Sequence, residues 1–92
     1  VSDEIPADLI ELKQQFYAAE TELARLSGTM PSSTEIAGGA EADPADRARW
    51  TATHDRLGEL AVQIQRHPAL AALDPVGRLK LDAAASRAAR QV

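Results

Sequence analysis

Few side chains in this chain could do chemistry, and most of them stand at spacings that do not help. There is no cysteine, which removes disulfides, thiolate nucleophiles, zinc ribbons and iron–sulfur clusters together. His54 and His67 fall in neither a His-Glu-x-x-His nor a Glu-x-x-His pattern, because Thr51 and Ile64 occupy the positions three residues before them. His54 reads as a helix-flank residue near Glu20. His67 reads as a helix-end residue, favourable when protonated at the negative end of the helix dipole. No metal site is expected from this pair. Glu20 with Glu22, and Asp43 with Asp46, are pairs from which acid–base catalysis could be built. That chemistry needs one carboxylate desolvated and the other solvated in a shared cleft. Helix solubility and capping account for them without it. Ser2, Ser27, Ser32, Ser33 and Ser86 lie outside any Gly-x-Ser-x-Gly elbow, and no Gly-x-x-x-x-Gly-Lys loop is present to cradle a phosphate. The expectation is a protein that is not an enzyme, with no catalytic residue and no cofactor.

The basic side chains carry more weight. Lys80, Arg87 and Arg90 project within a sector of about 80° if the C-terminal segment is a regular helix. Such a stripe is the electrostatic footprint of a nucleic-acid contact. Asp74 and Asp82 interrupt it, the sequence pI is about 5.0, and no aromatic is interleaved for base stacking. Arg87 and Arg90 also suit the end of a helix, where they neutralise its dipole. Nucleic acid is therefore the alternative partner.

The elements that must position these groups are helical. Ile5-Pro6 opens the first, with Asp8 and Glu11 near its positive end. Leu9, Leu12, Phe16, Ala19, Leu23 and Leu26 recur at the spacing of a heptad seam. Gly28 reads as the stop, giving a helix over 6–27. Asp43-Pro44 caps and starts the second, whose seam runs Trp50, Thr53, Leu57, Leu60, Ile64, His67 and ends before Pro68, so the helix spans 44–67. Pro68–Leu73 suggests a short helical turn, and Asp74-Pro75 starts a third helix over 75–90. On that helix Leu81, Ala84, Ala85, Ala88 and Val92 share one side, and Val76, Leu79 and Ala83 another. The 28–43 connection exceeds the roughly 2–8 residues usual between helices. It is read as a flexible loop, with a capping-box pattern from Ser32 to Glu35 that could start one turn before Gly38-Gly39.

Composition sets the scale. The 92 residues allow one small domain, and 19 of the residues counted as hydrophobic are alanine, which leaves a thin core. Alanine, arginine and aspartate usage resembles that of a high-GC bacterial genome and carries no function. No apolar run is long enough for a membrane span and Val1-Ser2-Asp3-Glu4 is acidic, so a cytoplasmic protein is expected. The net charge of −4 is uneven: residues 1–46 hold ten acids against Lys13 and Arg25, and residues 47–92 hold eight bases against four acids.

Aligned as an antiparallel hairpin, the two seams place Leu26 opposite Trp50, Phe16 opposite Leu60, Leu12 opposite Ile64 and Leu9 opposite His67. Glu22 then falls near Arg56 and Glu20 near His54, so that the acidic helix and the arginine-bearing helix register each other. Ile10 and Tyr17 lie about 100° from the seam. The third helix would cover them in an all-α, three-helix bundle-like fold, and a homo-dimer through the same stripe is the competing cover. The functional expectation is a helical protein–protein interaction module that binds a partner protein or itself by helix-face packing. Ile10, Tyr17, Leu81, Ala85 and Ala88 are its expected contact residues, and the loop supplies local adaptability.

Overall fold

The computed structural model describes residues 5–91, so Val1-Ser2-Asp3-Glu4 and Val92 lie outside the described residues. The fold is all-α. Among the described residues five helices follow one another: α1 (Ala7–Thr29), α2 (Ser33–Ala37), α3 (Pro44–Gln65), α4 (Pro68–Ala71) and α5 (Pro75–Arg90). Helices α1 and α3 form a long antiparallel hairpin, α5 packs on α1, and α4 links α3 to α5. The molecule measures 59 × 24 × 20 Å.

The starts of the helices follow local signals. The Asp43 carboxylate accepts from the Ala45 N–H at 2.8 Å, with Pro44 in the first position. Asp74 accepts from the Gly77 N–H at 2.7 Å ahead of α5. Each cap satisfies one of the unpaired donors of a helix start. A Cβ at Gly77 would stand 2.9 Å from that Asp74 oxygen, which is why glycine suits the third position of α5. In the connection, the Ser32 hydroxyl accepts from the Glu35 N–H at 3.2 Å. Gly39, at a φ of +101°, turns the chain out of α2. The 28–43 stretch is thus partly helical rather than a plain loop.

The ends differ from expectation in two places. Gly28 does not stop α1; the helix runs through it to Thr29 and stops at Met30, which is extended (φ −90°, ψ 150°). The cause is Pro31, whose ring disfavours helical geometry in the residue before it. Helix α3 ends at Gln65, because His67 precedes Pro68 and takes up extended backbone as the cap of α4.

The hairpin keeps the expected register at both ends. Trp50 Nε1 donates to Ser27 Oγ at 2.9 Å, and His67 Nε2 lies 2.9 Å from Asp8 Oδ2 at the other end. Between them Leu12 and Phe16 pack on a cluster of Leu9, Ile64, Leu70 and Ala85. The expected charge pairing across the hairpin is not what forms. Glu22 takes Arg25 from its own helix, with Nε to Oε2 at 3.0 Å, Arg49 takes Asp46 at 3.2 Å, and Arg56 donates to Gln15 at 2.8 Å. His54 stacks on Trp50, not Glu20, with ring centroids 5.1 Å apart. A partner one turn away on the same helix is reached without spanning the interhelical gap. The Arg25 guanidinium holds the Glu22 carboxyl below its ordinary range, with Arg49 adding a smaller pull from across the hairpin.

Candidate interaction surface

Helix α5 has two unlike faces. Its inner face carries Asp82, Ala85, Ser86 and Ala89, and packs against α1. Ala85 is fully buried and Ala89 nearly so. Opposite them stands Lys13, itself only 7% exposed. Its ammonium pairs with the Asp82 carboxylate and donates to Ser86 Oγ at 3.0 Å. Lys13 occupies the seam spacing between Leu9 and Phe16, so a charge sits where an apolar residue would pack. Asp82 and Ser86 answer it from α5, and this matching fixes which side of α5 turns inward. With one side chain held by both Asp82 and Ser86, the cluster clamps α1 to α5.

A second clamp lies at the α3–α4 corner. His67 is 9% exposed. Its Nδ1 accepts from the Ala69 N–H at 3.1 Å, capping α4, while Nε2 faces Asp8 on α1. One ring in the Nε2–H tautomer satisfies both contacts. That hydrogen bond holds the Asp8 carboxyl below its ordinary value. Arg78 Nε donates to the Leu70 carbonyl at 3.2 Å and ties α5 to the same corner.

The outer face of α5 is where apolar area stays in water. Leu79 is 71% exposed and Val76 61%. Ala83 lies on the same stripe and is exposed, as is Leu73 just before the helix. At 100° per residue, Val76, Leu79, Ala83, Lys80 and Arg87 share one sector of about 100°. Lys80 and Arg87 make no ion pair among the described residues. Leu79 also forms the lip of a groove of about 610 Å³, with Leu70 and Pro75 in its wall and Arg66 and Arg78 on its rim.

The expected contact residues are distributed unevenly over these surfaces. Ala85 is a correction: with no exposed area, it has nothing to offer a partner, because it sits in the intramolecular core with Leu9 and Ile64. Leu81 and Ala88 are half-buried, and Leu81 packs on the same core. Ile10 and Tyr17 are half-buried on α1. The Tyr17 ring meets Phe16 edge-on at 5.9 Å and lies under the Arg90 guanidinium at 4.7 Å. That cation–π contact turns Arg90 toward α1, so Lys80 and Arg87 stay outward without it. The stripe of Val76 and Leu79 was visible in the sequence as the other apolar side of the third helix. The inward side is set by Asp82 and Ser86, which meet Lys13 on α1.

Among the described residues no group of metal-ligating side chains converges, and no helix is long and apolar enough to cross a membrane. A family model for a domain of unknown function (DUF8825) matches residues 8–91, and the chain belongs to that family. No curated protein and no solved structure matches the chain.

Proposed function

We propose that this member of the DUF8825 family is a non-enzymatic interaction module that docks another protein chain on the outer face of α5. The observation that carries the reading is the exposure of Leu79 and Val76 on a helix whose opposite face buries Ala85 and Ala89. A single exposed leucine is ordinary on a protein surface. Two large apolar residues one turn apart, beside a groove of mixed polar and apolar lining and next to unpaired cations, make an amphipathic patch. The partner that complements it presents apolar side chains flanked by carboxylates, as an acidic amphipathic helix does. Leu79 and Val76 bury area at the contact, while Lys80 and Arg87 select the sign of the partner's charge.

The test places a photoreactive phenylalanine analogue at position 79 of the full chain in its native cell, with a second chain carrying it at Asp55 on the polar side of α3. Covalent adducts to protein from position 79 and none from position 55 are the expected result. Equal labelling from the two positions, or adducts to nucleic acid alone, overturns it.

A further inference from the structure

The partner best matched to the α5 face is found in the chain itself. We propose that two copies pair antiparallel, with the α2 segment of each seated against Leu79 and the groove beside it on the other. This deepens the docking role proposed above and rests on it.

Three observations converge. Ile36 in α2 is 55% exposed, a large apolar side chain held outward by a helical turn too short to bury it. Its surroundings are acidic: Glu35, Glu41 and Asp43 lie in a stretch with no basic residue between Arg25 and Arg47. Glu35 and Glu41 have no cation partner among the described residues. The groove at the far end has the opposite balance: Arg66 and Arg78 line it against one carboxylate, Asp82, which is already paired with Lys13. Apolar meets apolar and acid meets base in the same pairing, which suits register and encounter alike.

Position supports the match. Ser27–Trp50 marks the α2 end of the hairpin and Asp8–His67 marks the α4 end. The two complementary patches therefore sit at opposite ends of a 59 Å rod. One copy cannot bring them together. Two copies side by side in opposite directions join both pairs at once, as an isologous two-fold contact requires. The same arrangement lays each α5 beside the part of the neighbouring hairpin that has no third helix of its own.

The experiment is sedimentation equilibrium of the full chain up to about 500 μM, at low and at high salt, with Ile36→Glu and Leu79→Glu variants. Both side chains are exposed, so circular dichroism should report unchanged helix content. A monomer–dimer equilibrium that weakens with salt is expected, each variant weakening it about tenfold or more. Mixing the two variants should restore part of the association, because the mixed dimer keeps one unaltered Ile36–Leu79 contact. A monomer at every concentration, or a dimer indifferent to both variants, overturns the pairing. If position 79 still crosslinks to a different protein in that event, the docking role stands and only its partner has been misassigned. If it crosslinks to no protein, both fail.

Discussion

The two halves of the hairpin are built from the same heptad pattern and held by different means. In the half nearest α4, the three long helices and α4 enclose Leu9, Lys13, Leu60, Ile64, His67, Leu70, Ala85 and Ala89. In the half nearest α2, the two long helices enclose, among the described residues, Leu26 alone as a buried side chain. Trp50 and its hydrogen bond to Ser27 close that end. A seam thus sets the pairing of two helices but cannot exclude water from both its flanks. The difference comes from α5, whose 16 residues cover only the first part of the 23-residue α1.

Truncating the seam on either side would measure that contrast most directly. Leu9→Ala, in the three-helix half, should cost about 3 kcal/mol in chemical denaturation. Leu26→Ala should cost nearer about 2 kcal/mol, because a two-helix site relaxes into its own cavity more easily. Equal losses would erase the distinction between the halves. The clamp that docks α5 comes next. Asp82→Ala strands the Lys13 ammonium in a nearly dry position and should cost about 2 kcal/mol, whereas Lys13→Met, which swaps the charge for an apolar chain, should cost under about 1 kcal/mol. The reverse order would mean that the pair itself, rather than its desolvation, supplies the stability.

His67→Ala removes both the α4 cap and the link to Asp8, for an expected loss of about 1.5 kcal/mol, and His67→Asn should recover part of it as a good cap residue. In the two-helix half, Gly58 sits on α3 with open space where a Cβ would go. Gly58→Ala should therefore raise stability by about 0.5–1 kcal/mol. The smallest effect is a pH dependence. The His67 hydrogen bond lowers the Asp8 pKa from its ordinary 3.8, so the folded state binds that proton less readily than the unfolded chain. This contribution is present above about pH 4 and is lost as pH falls through the lowered value. Asp8→Asn should remove that part of the acid slope in denaturation curves recorded from pH 5 to pH 2.

The helix starts were legible because capping is local: Asp43-Pro44, Asp74-Pro75 and the Ser32–Glu35 pair each act within four residues. The hairpin register was legible because two long seams have few ways to align. The inward side of α5 was harder, since that helix has two apolar stripes of similar strength. Its orientation is settled by Lys13, 69 residues away from Asp82, and a long-range polar match leaves no periodic trace. For that reason Ala85, on the side richer in small residues, looked like a contact surface and proved to be core. The charge gradient misled for a different reason: Glu22 and Arg49 on the facing helices α1 and α3 each take a partner one turn away on their own helix.

The uncovered half of the hairpin also shapes how the molecule moves in water. Its radius of gyration is 17.2 Å, against about 12 Å for a compact chain of this length. A rod of these proportions elutes from a sizing column ahead of globular standards of equal mass, so a single chain can pass for a dimer by elution volume. It also tumbles anisotropically. Amide bonds in α1 and α3 point along the long axis and should relax in NMR with a longer apparent correlation time than a sphere of 9.8 kDa would give. Side-by-side pairing would double the mass while leaving the length nearly unchanged, so rotation about the long axis is the motion that would slow most.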